Sequence, residues 1–319
     1  MMTKLAYFEG RIVPIAEANV SIRCNTLHYG TGCFGGLRAY WNEQHKQLYA
    51  FRLLDHYRRF LESARLLLCE FDYTPEQLRD ITLELLRREG WREDVYIRPL
   101  AYKDDGIFRL WLHDGTDKVA IFSQPYGKYI SADAGAKVCV SSWRRVDDTA
   151  IPARGKTNGA YVNSALIKSE AMLNGFDDAI VLNQDGHVSE GSVANFMMVR
   201  NGDVITSPVT ANILEGITRR SLITLLREEL GLNVIERDID RTELYLANEA
   251  FLCGTGVQIA AIASIDHRVL GQGGTGPVTQ QLRDLFFRVL RGEVAKYMDW
   301  LSPVLSTENA LQFPVQTEI

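Results

Sequence analysis

Ala153-Arg154-Gly155-Lys156-Thr157-Asn158-Gly159-Ala160-Tyr161 is the stretch on which the reading of the chain turns. Lys156 stands in a glycine-flanked loop that runs into a helical pattern. A helix start carries partial positive charge and favours anions, so a lysine there is electrostatically misplaced. The same placement disfavours the ammonium form and leaves a more nucleophilic amine. An amine of that kind can hold an aldehyde cofactor as a Schiff base; the plainer alternative is a solvated loop lysine. The remaining motifs have to separate the two.

Bulk composition narrows the classes. A chain of 319 residues is long enough for about two domains with a full core. Hydrophobic residues make up 46% and charged residues 24%, with a net charge of −5 and both signs mixed along the chain. No basic tract points to nucleic acid or to a membrane surface. The five cysteines, Cys24, Cys33, Cys69, Cys139 and Cys253, are scattered and without metal-ligand spacing. They read as reduced thiols of a cytoplasmic protein, mostly core fillers. The six histidines form no metal-binding pair, so no metal site is expected. Met1-Met2-Thr3-Lys4 leads into no long apolar run, so neither a signal peptide nor a membrane span is expected.

Working outward, Ala6 to Ile15 reads as a hairpin turning at Glu9-Gly10, and Leu48 to Arg52 as a strand. Leu53, Tyr57, Phe60, Ala64 and Leu67 share one face of a helix from Leu53 to Cys69. Thr74-Pro75-Glu76-Gln77 carries an N-cap, a proline at the first helical position and a capping-box partner; this helix runs to Arg88 and stops at Gly90. Strands follow at Val95 to Tyr102 and Lys118 to Gln124. Residues 1–122 thus form a small α/β domain, 123–135 a linker rich in small residues, and 136–319 a larger domain. Within the last, a strand covers Lys137 to Trp143, and helices cover about Ala160–Leu173, Ile217–Leu230 and Val278–Arg291. Short strands lie between them, one pair joined by Asn201-Gly202, a strong hairpin signal.

Several motifs can carry chemistry. Gly30-Thr31-Gly32-Cys33-Phe34-Gly35 matches a dinucleotide fingerprint, but the strand-like Leu37-Arg38-Ala39-Tyr40-Trp41 follows where a helix is required. Gly216-Ile217-Thr218 opens a helix whose free N–H groups, with the Thr218 hydroxyl, suit a phosphate or are simply a helix start. Gly254-Thr255-Gly256 joins two strands, as an anion-binding turn or an ordinary one. Glu190 is either an exposed turn residue or a buried acid paired with a protonated ring nitrogen. Tyr96 and Arg98 alternate on a strand and share a face, able to take a carboxylate or to meet water.

Taken in order, Leu27-His28-Tyr29-Gly30, Phe51 to Arg59, Tyr96-Ile97-Arg98-Pro99, Lys156 to Tyr161, Ser189-Glu190-Gly191, Leu214 to Arg219, Tyr245-Leu246-Ala247 and Gly254-Thr255 form a specific set. With these motifs the chain resembles the class IV (fold-type IV) pyridoxal-phosphate aminotransferases, and within them the branched-chain amino-acid aminotransferases. The resemblance implies an α+β, two-domain fold of the D-amino-acid aminotransferase type: a small α/β domain plus a larger pseudo-barrel domain. It implies pyridoxal 5'-phosphate as cofactor, bound as a Schiff base on Lys156. Glu190 would keep the pyridine nitrogen protonated, and Tyr161 would bond the phenolic oxygen. Arg59, Gly216, Ile217, Thr218 and Thr255 would bind the phosphate, and Leu214 would pack on the ring. Tyr96 with the turn Thr255-Gly256 would receive the substrate carboxylate. Phe34, Arg38, Arg98, Tyr126 and Tyr129 would line the pocket, with Tyr29 reaching in from a second subunit of a homodimer or larger homo-oligomer.

The implied reaction is ping-pong transfer of an amino group from an L-branched-chain amino acid to 2-oxoglutarate. Three departures bear on substrate range. Phe34-Gly35-Gly36 replaces the family's Phe-Glu-Gly, Ser192-Val193-Ala194-Asn195 replaces x-Gly-Glu-Asn, and the loop Gly106 to Trp111 is bulkier than usual. Transaminases of D-amino acids or (R)-amines on the same fold remain the alternative, because they share the chemistry at the lysine.

Overall fold

The computed structural model describes residues 4–104, 106–108, 110–127 and 135–305. Two compact units divide them: one holds the described residues up to Gly127 and those from Leu290 on, the other the described residues up to Val289.

In the first unit, β1 (Leu5–Phe8) and β2 (Arg11–Pro14) pair in antiparallel register, Phe8 opposite Arg11. The two-residue turn needs positive φ at both positions, and Glu9 (φ 49°) and Gly10 (φ 86°) supply it. A short helix α1 (Asn25–Tyr29) ends at Gly30 in the left-handed region (φ 67°). The glycine run then enters β3 (Cys33–Phe34) and β4 (Leu37–Asn42), and no helix follows it. After β5 (Gln47–Phe51) the spacing predicts a helix as far as Cys69; α2 covers Leu53–Leu66 and buries Leu53, Tyr57, Phe60 and Ala64. α3 (Pro75–Glu89) has both bonds of the Thr74–Gln77 capping box and ends on Gly90 at φ 63°.

β6 (Val95–Lys103) and β7 (Asp117–Pro125) pair antiparallel over nine positions. Val95 and Ile97 of β6 face a core with Leu37, Tyr57, Phe60 and Leu86. The period of two turns Tyr96 and Arg98 to the opposite face. The C-terminal strand Leu301–Pro303 pairs antiparallel with β5, Leu301 opposite Phe51. The described residues from Leu290 on therefore belong with the first unit, where composition alone assigns 136–319 to the second. A three-residue strand lacks the length for a sequence signal.

In the second unit, β8 (Ala136–Arg144), α4 (Tyr161–Leu173), β9 (Asp178–Leu182) and β10 (Val188–Gly191) come first. β11 (Asn195–Arg200), β12 (Asp203–Thr206), α5 (Ile217–Glu228) and β13 (Val234–Glu236) follow. β14 (Glu249–Gly254), β15 (Gln258–Ile265), β16 (Arg268–Val269) and α6 (Pro277–Leu290) complete it. The main sheet runs β10-β9-β8-β15-β14-β11-β12-β13. β10 and β11 stand five places apart in that order, about 24 Å if the sheet were flat. Only residues 192–194 join them, a link that reaches at most about 15 Å. The sheet must therefore curl until β10 stands beside β11, and the Gly191 N–H donates to the Ala194 carbonyl across the join. The result is a half-barrel whose core includes Val138, Ile180, Phe196, Met198, Leu252 and Ile262.

Thr74→Ala removes one half of the capping box and should lower stability by about 1 kcal/mol. Urea denaturation measures it; an unchanged midpoint would show that α3 draws nothing from its cap.

Candidate active site

The curl of the second unit's sheet gathers four segments. β8 ends just before Arg145, whose N–H donates to the Leu182 carbonyl. On β10, Val188 opposes Leu182 and Gly191 opposes Ile180, so the strand carries one extra residue between them. That bulge re-aims the side chains within it, and Glu190 is one of them. Asn195 opens β11, and the segment from Asn212 leads into α5 at Gly216.

Glu190 is buried on β10, not in an exposed turn. Its Oε1 lies 2.8 Å from Arg145 Nη2. Its Oε2 accepts from Asn195 Nδ2 at 2.8 Å and from the Leu214 N–H at 3.3 Å. Burial pushes the carboxyl above its ordinary range; Arg145, the Leu214 N–H, Lys156 and Asn195 all pull the other way. Arg145 and Asn195 are functional neighbours that motif spacing does not reveal. Arg145 sits in an unremarkable stretch, and Asn195 is the one position that keeps its residue in a segment otherwise departing from the family pattern.

Lys156 lies in the loop before α4, but the helix starts at Tyr161, so Lys156 is a full turn outside the helix. Its environment is therefore set by side chains more than by the helix end. Lys156 Nζ donates to the Tyr161 hydroxyl. The loop is tied down ahead of the lysine: the Ala153 N–H donates to Asp148 Oδ1 at 2.9 Å, and Arg154 reaches Glu215 Oε1 at 3.2 Å. α5 begins at Gly216 with no side-chain cap, so its first N–H groups are available to an anion. Thr218 is buried one residue into that helix. A Cβ on Gly216 would run into Asn195 Oδ1, so any larger residue there requires the Asn195 side chain to move. Thr255 and Gly256 form the tight turn between β14 and β15, with open space beside Gly256.

In the first unit, β4 and β6 bring Arg38 opposite Tyr96. Arg98 Nη2 donates to the Tyr96 hydroxyl at 3.2 Å, and its guanidinium lies 4.4 Å from the Phe34 ring centroid. Tyr126 packs against Tyr96 with centroids 5.0 Å apart. Arg38 is buried, and its Nη2 donates to the carbonyls of Tyr126 (2.9 Å) and Gly127 (2.8 Å). A Cβ on Gly35 would sit 2.5 Å from Pro99 Cγ, and one on Gly36 would overlap the Tyr96 hydroxyl. The close packing of Pro99 gives the glycine at 35 a steric reason. Arg59 lies half-buried on α2, while Asp55 pairs with Arg52 and Arg58. Tyr29 ends α1, exposed, beside His28, whose ring meets Phe108 edge-on at 4.9 Å. Tyr129 and Arg109 lie outside the described residues.

A buried acid, a lysine held by a tyrosine hydroxyl and an uncapped helix start answer to one kind of ligand: a phosphorylated aromatic aldehyde with a basic ring nitrogen. Thr157 Oγ1, Asn158 Oδ1 and Ser192 Oγ are buried and have no partner among the described residues. Polar atoms buried in that state call for a polar guest. Comparison with known proteins agrees. The pattern of the family Amino-transferase class IV matches residues 32–265. The probable branched-chain-amino-acid aminotransferase of Aquifex aeolicus is 49% identical over 94% of this chain and 96% of its own length. The branched-chain amino acid aminotransferase of Thermobaculum terrenum, solved in its PLP form, superposes with a TM-score of 0.91 at 41% identity, covering 95% of this chain and 98% of that one. The branched-chain aminotransferase of Thermoproteus uzoniensis, solved with norvaline, gives 0.90 at 41%, covering 95% and 99%.

The chain belongs to the class IV aminotransferases. It is a transaminase of fold type IV that works with pyridoxal 5'-phosphate.

Gly216→Ala should force Asn195 off Glu190 and cost roughly 1–3 kcal/mol of stability. Thermal denaturation together with cofactor retention on dialysis measures it. Wild-type behaviour in both would mean that Asn195 yields freely.

Proposed function

We propose that this enzyme transfers the amino group of L-leucine, L-isoleucine or L-valine to 2-oxoglutarate, with Lys156 as the amine that holds the cofactor. The observation that carries this is Lys156 Nζ on the Tyr161 hydroxyl, with the buried Glu190 fixed by three donors in the same unit. The branched-chain substrate rests on the relatives named above and on the Tyr96-x-Arg98-Pro99 segment.

When bound, the cofactor supplies an aldehyde for the substrate amine and a ring that spreads the electron pair left at Cα. Tyr161 orients Lys156, which takes the Cα proton on Nζ and gives it back on the far side of the transfer. The N–H groups of Ile217 and Thr218 and the Thr218 hydroxyl hold the phosphate, as do Arg59 and Thr255. No catalytic amine is spent on that anchorage. Leu214 supports the ring. Tyr96 and the Thr255-Gly256 turn receive the substrate's α-carboxylate, and Arg98, Arg38, Phe34 and Tyr126 shape its recognition. The Arg38 Nη2 already serves two backbone carbonyls, so its part is to fix the Tyr126–Gly127 backbone.

The working form is a homodimer or larger homo-oligomer. Leu27, Tyr29, Ile107, Phe108, Leu110 and Trp111 are all exposed, and the His28–Phe108 contact joins their two segments into one apolar area. An area of that kind is characteristic of an interface. The five cysteines are all unpaired and buried, which suits the reducing cytoplasm.

The purified enzyme should show a visible band that borohydride abolishes. Lys156→Ala should lack that band and lose amine transfer by about three orders of magnitude or more. Half-reactions with L-leucine, D-alanine and (R)-1-phenylethylamine separate this reading from the D-amino-acid and (R)-amine readings that Gly35 and Ala194 leave open; reduction of the band by either of the latter two alone would reassign the substrate. Phe108→Glu with Leu110→Glu should shift the sedimenting species toward monomer and lower activity. An unchanged oligomer would move the interface elsewhere.

A further inference from the structure

We propose that Arg145 is a positioning residue which decides on which side of the Glu190–ring nitrogen contact the shared proton resides. This rests on the reading above, in which Glu190 faces the cofactor's ring nitrogen.

Glu190 sits where a lone carboxylate would take up a proton, because burial removes the water that stabilises its charge. Its two oxygens are served separately. Oε2 has two neutral donors, Asn195 Nδ2 and the Leu214 N–H. Oε1 has Arg145 at 2.8 Å, the one full cation in contact with Glu190 among the described residues. That guanidinium is itself held from behind: Nε donates to the Asn212 carbonyl at 3.0 Å. Asn212 in turn accepts from the Asp148 N–H (3.3 Å) and donates to Asn183 Oδ1 (3.1 Å). With its backbone N–H on Leu182, Arg145 is fixed at both ends. Among the described residues, the other ionisable groups around Glu190 are Lys156 and Cys253. Burial pushes the Cys253 thiol up to about 12, so it stays neutral. Lys156 gives up its free ammonium in holding the cofactor. The constant positive charge at Glu190 is therefore that of Arg145, since a guanidinium does not deprotonate in proteins.

An N–H···O contact between a pyridinium and a carboxylate has two proton positions. In one the proton stays on nitrogen and the carboxylate is an anion. In the other the N–H bond breaks, its electron pair returns to nitrogen, and an O–H bond forms on Glu190. Burial favours the second, neutral pair. A guanidinium in contact favours the first, because it lowers the proton affinity of the carboxylate. Only a protonated ring withdraws electrons strongly, so Arg145 governs how readily the Cα proton can leave.

The test uses holoenzyme carrying cofactor labelled with 15N in the ring, followed by NMR. The unaltered enzyme should give a protonated ring nitrogen throughout about pH 5 to 9. Arg145→Gln should move the signal toward the unprotonated value and slow deuterium exchange at leucine Cα about tenfold or more, with KM for leucine little changed. Arg145→Lys, which keeps the charge, should recover most of both. A ring signal in Arg145→Gln identical to that of the unaltered enzyme overturns the proposal. So does loss of the ring proton from the unaltered enzyme within that pH range, a criterion that holds even if the variant does not fold. Glu190→Gln distinguishes the two levels: if it too leaves the ring signal unmoved, the reading of Glu190 itself fails.

Discussion

The three-residue link from Gly191 to Asn195 is the constraint on which the second unit depends. A connection so short forces an edge strand against an interior one, and the sheet has no choice but to curl. Curling puts an acid on β10, an amide on β11 and the start of α5 within hydrogen-bond reach of one another. Flatten the sheet and Glu190 Oε2 loses its donors Asn195 and Leu214, leaving Arg145 on Oε1 as its remaining support in a dry interior. The site is thus a product of the sheet's closure and not of any one loop.

Much of this was legible in the residues, for reasons that differ from element to element. The Glu9-Gly10 and Asn201-Gly202 turns announce themselves because both positions of each need positive φ, which few residues accept. α3 is marked at both ends by capping chemistry. α2 is clear in its stripe but not in its end: Leu67 and Leu68 continue the apolar pattern, while Leu68 turns to φ 50° and breaks the helix. The pairing of β5 with the C-terminal strand is a long-range contact between short segments, and no local pattern encodes it.

At the site the same division holds. Lys156, Tyr161, Glu190 and Thr218 stand in motifs with characteristic neighbours, and all four fall in the second unit. Arg145 stands in no such motif. Its importance comes from the end of β8 lying against β9 and from a bulge in β10, both properties of the folded sheet. Motif reading also misjudges what surrounds a residue. Lys156 reads as a helix-start residue although α4 begins a turn later.

Asn195 joins matters that chemistry would treat separately. Its amide nitrogen holds Glu190 and the Leu214 carbonyl, while its oxygen fills the space where a side chain on Gly216 would go. The acid end and the anion-binding end of the cleft share one amide as a common hinge pin. Neither end can be redesigned, or drift under selection, without disturbing its counterpart, so substitutions at 190, 195 and 216 ought to behave as a single coupled unit whose effects refuse to add.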